Sequence, residues 1–158
     1  MTRAQTLSCK VLDLLKERQS SVATAESCTG GLVGAALTEI PGSSQVYRGG
    51  IISYTNSCKE ALLSVPKDLL DTLGAVSAPV AEAMAQGARK QLGAEFAVST
   101  TGLAGPGGDE FGNPVGTVFI ACAGQNRTVS RCLHLPGDRE QVRRAAVEAV
   151  LELLLEEL

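Results

Sequence analysis

The stretch Ser21-Val22-Ala23-Thr24-Ala25-Glu26-Ser27-Cys28-Thr29-Gly30-Gly31 changes character twice within a few residues. It starts as a β-like run, Ser21 to Ala25, passes through a short polar segment and reaches a glycine pair. The apolar run Leu32 to Leu37 follows with helical spacing and ends near Ile40, before Pro41-Gly42. This order predicts strand, tight turn and helix. A serine at such a turn can hold its hydroxyl at the end of a sheet, and the free N–H groups of the next helix then point at whatever it attacks. Glycine lets the backbone approach a ligand closely. Ser27 is therefore a candidate nucleophile, with the backbone of Thr29, Gly30 and Gly31 as a candidate oxyanion hole. The plainer reading is that Ser27 or Thr29 caps the helix. Cys28 is a third option, since thiols are activated at helix N-termini.

Outward from this turn, helices alternate with strands. Leu7, Val11, Leu12, Leu14 and Leu15 form a helical stripe from Thr2 to Arg18. Gly49 to Tyr54 reads as a strand, followed by a helix capped by Asn56 or Ser57. Pro66 opens a helix that Gly74 ends, and Ser77 caps another from Pro79 to about Leu92. Phe96 to Thr100 is a strand, and Gly102 to Asn113 is a long Gly/Pro-rich loop. Val115 to Ala123 and Arg127 to Leu133 read as a hairpin joined by Gly124-Gln125-Asn126, and Asp138 caps a last helix. The expected fold is a single three-layer α/β/α domain over residues 1–158, on a mixed, mainly parallel sheet.

Composition narrows the function classes. With 158 residues and 44% apolar residues, the chain can bury a full core. Aromatic residues are only 3% and the net charge is −3 with no basic run, which disfavours a nucleic-acid partner. No apolar run has membrane-spanning length and no signal-peptide pattern opens the chain, so a cytoplasmic protein without a membrane partner is expected. The five cysteines lack CxxC spacing, and no His/Cys/Asp/Glu cluster has ligand spacing. Neither a metal nor a cofactor is expected.

A serine nucleophile needs a base. The one histidine, His134, lies at a strand end. Lys59 lies in the first turn of a helix after a strand, where positive potential would lower its pKa. Both stay open on position alone; among the lysines, Lys59 is the best candidate. The loop Gly102-Leu103-Ala104-Gly105-Pro106-Gly107-Gly108 could wrap a phosphate with backbone N–H groups, although it is neither a Walker A loop nor a dinucleotide fingerprint. Arg139 and Arg143 share a helix face and could clamp an anion, or simply form a solvated basic face.

Taken in order, Ala25-Glu26-Ser27-Cys28-Thr29-Gly30-Gly31, Pro41-Gly42-Ser43-Ser44, Gly49-Gly50 with Tyr54, Asn56 and Lys59, Gly74-Ala75-Val76-Ser77, Thr101-Gly102 with Ala104-Gly105-Pro106 and Gly108, Pro114-Val115-Gly116-Thr117, and Gly137-Asp138-Arg139 resemble the CinA C-terminal domain family. The resemblance runs from about Val22 to Arg144 and is closest to the standalone form of the family. It implies a nicotinamide-nucleotide amidohydrolase that converts nicotinamide mononucleotide (NMN) to nicotinate mononucleotide and ammonia, feeding pyridine-nucleotide recycling. It further implies Ser27 as nucleophile, Lys59 as base and Tyr54 as an orienting or relaying group. Thr101, Gly102, Ala104 and Gly105 would line the nucleotide pocket, and Arg139 or Arg143 would meet the phosphate. Asn113 departs from the lysine that the family often carries before Pro-Val-Gly. A homo-oligomer, a dimer, is the expected assembly. Two other functions fit the same residues: a non-catalytic nucleotide-binding module, and a serine–lysine amidase for another small amide.

Overall fold

Most helices of this chain start where a nearby side chain can satisfy their first N–H groups. The computed structural model describes residues 1–158. Its elements, in order, are α1 (Arg3–Glu17), β1 (Val22–Glu26), α2 (Leu32–Thr38), a 3₁₀ turn at Ser43–Gln45, β2 (Tyr47–Ile52), α3 (Asn56–Leu63), α4 (Lys67–Leu73), α5 (Ala78–Leu92), β3 (Phe96–Gly102), β4 (Thr117–Ala123), β5 (Thr128–His134) and α6 (Arg139–Glu157). Capping boxes open α1, through Thr2 and Gln5, and α6, through Asp138 and Gln141. The α3 cap is Thr55, whose Oγ1 accepts from the Cys58 N–H at 3.2 Å. Asn56 and Ser57, the expected caps, lie one and two residues inside the helix. Ser77 precedes α5 but donates its hydroxyl to the Gly74 carbonyl at 3.1 Å, so it does not cap by side chain. The second strand starts and ends two residues before its expected span, and β4 starts at Thr117 rather than Val115.

The strands form one sheet in the order β2-β1-β3-β4-β5. The β1–β2 and β1–β3 pairs are parallel, and β3–β4 and β4–β5 are antiparallel. Four strands thus point one way and β4 alone is reversed, giving the expected mixed, mainly parallel sheet. Helices α1, α2 and α6 cover one face and α3, α4 and α5 the other. Strand alternation supplies the two cores. Val22, Val98, Val118 and Ile120 point to the α1/α2/α6 side. Ala23, Ala25, Ala97, Ala121 and Ala123 point to α5, where small side chains let an alanine-rich helix pack close to the sheet. Gly87 carries that packing to the next layer: a Cβ there would overlap the Leu63 carbonyl at the end of α3. Close packing of α3 on α5 sets where the N-terminal turn of α3 lies.

The chain leaves β1 through α2 toward β2, and leaves β3 in the opposite direction toward β4. A crevice opens at the carboxyl ends of strands whose connections diverge in this way.

Candidate active site

Ser27 stands at that crevice, one residue past the end of β1. Its N–H donates to the Thr100 carbonyl at 3.0 Å, which extends the β1–β3 pairing by one residue. Its own carbonyl accepts from the Gly30 N–H at 3.1 Å and closes a tight turn. Gly30 and Gly31 hold φ values of 57° and 110°, a region where a side chain is strained. Neither Ser27 nor Thr29 caps α2. The cap is Glu26, the last residue of β1, 2% exposed. Its carboxyl oxygens accept from the N–H groups of Gly31 (3.1 Å), Val33 (2.9 Å) and Gly34 (3.0 Å), and from the Thr29 hydroxyl (2.6 Å). The Thr29 hydroxyl also shares a 2.7 Å hydrogen bond with Thr100. With Glu26 as cap, the Ser27 hydroxyl is free for other work.

That hydroxyl meets Lys59. Nζ of Lys59 lies 2.9 Å from Ser27 Oγ, 2.7 Å from the Ser53 carbonyl and 3.4 Å from the Tyr54 carbonyl. Lys59 is 1% exposed and has no carboxylate partner. Desolvation, the largest cause, lowers its pKa from 10.5 to about 8. A neutral amine here donates its two hydrogens to the Ser53 and Tyr54 carbonyls and offers its lone pair to the Ser27 hydroxyl. This geometry can remove a proton from serine at moderately alkaline pH.

The other two candidates for this chemistry fall away. Burial, above all, pushes the Cys28 thiol up to about 11, so it stays protonated near neutrality. His134 is exposed at the end of β5, the far edge strand. Three strand spacings separate β5 from β1, which is roughly 14 Å.

The expected oxyanion donors are only partly free. The Gly30 N–H is used by Ser27 and the Gly31 N–H by Glu26. The N–H groups of Cys28 and Thr29 have no backbone acceptor; of the two residues, Cys28 lines the cleft and Thr29 is fully buried. A cleft of about 370 Å³ opens over Ser27 and Lys59. Of the proposed pocket residues, Thr101 and Gly102 line it and Gly105 does not; Tyr54 lines it too. Thr101 is fixed by a 2.9 Å hydrogen bond to the Ala75 carbonyl. Ala104 lies in the core under α6, outside the cleft.

Tyr54 and the two arginines are placed differently from expectation. The Tyr54 hydroxyl accepts from Arg139 at 3.0 Å and has no hydrogen bond to Ser27 or Lys59; its backbone carbonyl, not its phenol, touches the lysine. Arg139 also donates to the Gly105 carbonyl at 2.7 Å, tying the glycine loop to Tyr54. Arg143 donates to the carbonyls of Cys28 (3.0 Å) and Thr29 (3.2 Å), so it braces the serine turn from behind. Neither guanidinium lines the cleft. Sequence reading missed Asp109, Glu110 and Phe111, which do line it. Only the folding back of the loop brings them there. Asn113 secures that fold: its N–H and side chain donate to the Asp109 carboxyl at 2.9 and 2.8 Å.

Fold and site together define an α/β protein with a buried serine–lysine pair at the carboxyl ends of its parallel strands. The chain belongs to the CinA C-terminal domain family, whose model matches residues 4–158. A CinA-like protein of Synechococcus sp. (strain RCC307) is 50% identical over 154 residues, covering 94% of this chain and 36% of that protein. One of Geotalea daltonii is 46% identical, covering 98% of this chain and 37% of the relative. The chain therefore spans about a third of the length of the curated relatives it matches. A competence/damage inducible protein from Agrobacterium tumefaciens has the same fold at a TM-score of 0.95 and 39% identity, covering 99% of this chain and 96% of that one. No helix is long and apolar enough to cross a membrane.

Proposed function

We propose that this chain is an amidohydrolase that removes ammonia from the carboxamide of nicotinamide mononucleotide by a serine–lysine mechanism. The observation that carries the reading is the 2.9 Å contact between Ser27 Oγ and the buried, unpaired Lys59 Nζ. The substrate comes from family resemblance, and the cleft over the pair is large enough to take a pyridine ring.

In the reaction, neutral Lys59 takes the Ser27 proton as Oγ bonds to the carboxamide carbon. The carbonyl oxygen becomes an oxyanion, for which the Cys28 N–H, at the cleft and without another acceptor, is the donor; losing such a donor typically costs about 10²–10³ in rate. Lys59 then returns its proton to the amide nitrogen as the C–N bond breaks, and ammonia leaves. Water attacks the ester, giving a proton to Lys59, and the acid departs as Oγ is reprotonated. Tyr54 contributes its carbonyl, which orients the amine, and its ring, which borders the cleft. A coupled ammonia assay on NMN, NAD and nicotinamide side by side tests the reading. Ammonia from NMN that disappears in Ser27→Ala is the expected result. Turnover of nicotinamide alone would favour a broader amidase, and no release from any of them a binding module.

A further inference from the structure

Aromatic residues are scarce in this chain: it has three Phe, two Tyr and no Trp. Two of them, Tyr54 and Phe111, line the one cleft that contains Ser27 and Lys59. Both are well exposed, at 58% and 41%. Phe111 is not loose. Its ring packs on Gly74, where an added Cβ would sit 2.5 Å from the ring. Its N–H donates to the Asp109 carboxyl at 3.1 Å, and Asn113 holds the other side of that carboxyl. Glu110, between them, is exposed and has neither an ion pair nor a hydrogen-bond partner in the fold. Two aromatic faces and two carboxyl groups therefore border the reacting pair. Two cations oppose a positive ligand here, Lys59 when protonated and Arg139 at the Tyr54 hydroxyl.

We propose that the cleft selects a flat aromatic cation, with Phe111 and Glu110 as its specificity-determining residues. The ring lies against Phe111, and its charge faces Glu110 and Asp109. An aromatic face attracts a cation through its quadrupole, and more strongly where water is excluded. Resting on the amidohydrolase reading for the identity of the ring, this deepens it: the site recognises the charged pyridinium and not merely a carboxamide. A neutral ring of the same shape gains neither interaction. Asp109 is also held in the loop clasp, so its contribution cannot be removed without moving Phe111; Glu110 can be changed alone.

The test separates recognition from chemistry by using Ser27→Ala, which binds without turnover. Calorimetry would compare NMN with its reduced dihydropyridine form, which keeps carboxamide, ribose and phosphate but has an uncharged ring. Binding of NMN about tenfold tighter or better is expected, the size of a partly desolvated cation–π contact. Adding Glu110→Gln, or Phe111→Leu, which keeps the apolar bulk, should each narrow the preference about threefold or more. Equal binding of the two forms overturns the proposal. So does a preference untouched by both substitutions, or no binding of either form at millimolar concentration. Ammonia release by the unaltered protein is measured separately, so loss of the amidase reading and loss of charge selection give different results.

Discussion

Lys59 is a charge-bearing group in a place that does not suit a charge. Two backbone carbonyls and one hydroxyl surround its amine, with no carboxylate to match it. Two consequences follow at this scale. The first is kinetic. In the proposed reaction the neutral amine is the base, so kcat/KM should rise with pH through about 8 and then level. A flat profile from pH 6 to 10 would count against Lys59. The second concerns stability. The unfolded chain holds the Lys59 proton up to about 10.5, while the folded chain gives it up near 8. At pH 7 the ammonium is buried at a cost of at most about 3 kcal/mol. Lys59→Met should therefore abolish turnover yet leave the fold as stable as before or more so, by about 2 kcal/mol. That gain should shrink as pH rises from 8 to 10.5, where the natural lysine is neutral in the fold and still charged in the unfolded chain. Denaturant melts at pH 7 and pH 10 check the sign. Ser27→Ala should also lose activity, and Cys28→Ser should keep most of it, because the thiol is buried and protonated. The reverse order in a rate comparison would make the thiol the nucleophile.

At the scale of elements, the joint between β1 and α2 depends on Glu26. One side chain accepts the N–H groups of Gly31, just before α2, and of Val33 and Gly34 within it, and the Thr29 hydroxyl, so it fixes the angle at which helix leaves strand. Glu26→Ala should cost about 2–4 kcal/mol, since it orphans several buried donors at once. Turnover should fall further than stability explains, because Ser27 is the next residue. Arg143 braces the same turn from α6 through two carbonyls. Arg143→Ala should therefore lower kcat on NMN and on the riboside, which lacks the phosphate, by a similar factor. A loss confined to NMN would instead make Arg143 a phosphate ligand. Parallel steady-state measurements on the two substrates decide this. Elements themselves were largely legible from periodicity and from caps such as Asp138, and their errors are local. Thr55 outcompetes Asn56 and Ser57 as cap because its extended backbone, φ −99° and ψ 161°, aims its hydroxyl at the Cys58 N–H.

For the whole molecule, the sheet order brings together turns that lie far apart in the chain. Ser27 follows β1, Ser53 and Tyr54 follow β2, and Thr101 is the next-to-last residue of β3, all at one end of three neighbouring parallel strands. Lys59 reaches the same place because α3 starts just after β2 and is held against α5. Gly87 allows that contact, and Gly87→Ala should test it. The added methyl would meet the Leu63 carbonyl, so either α3 shifts or stability falls by about 1–3 kcal/mol. A shift of α3 should lower kcat more than it raises KM, because it displaces Lys59 from Ser27. A variant with normal stability and normal kcat would show that α3 is positioned by other contacts.

Local pattern alone determined the alternation of helices and strands and the turn that carries Ser27, and left Lys59 and His134 both open as its base. Those features follow from short-range rules: apolar period, glycine at positive φ, and which residue types can act as bases. What only the tertiary structure decided is who touches whom. A side chain's partners depend on segments distant in sequence, so no local pattern reveals that Glu26 rather than Ser27 caps α2, or that Arg143 donates to the carbonyls of the serine turn. Nor does it reveal that Asp109, Glu110 and Phe111 fold back over the pair. The depth of burial that lowers the Lys59 pKa is of the same kind, because desolvation is set by every atom packed around the amine.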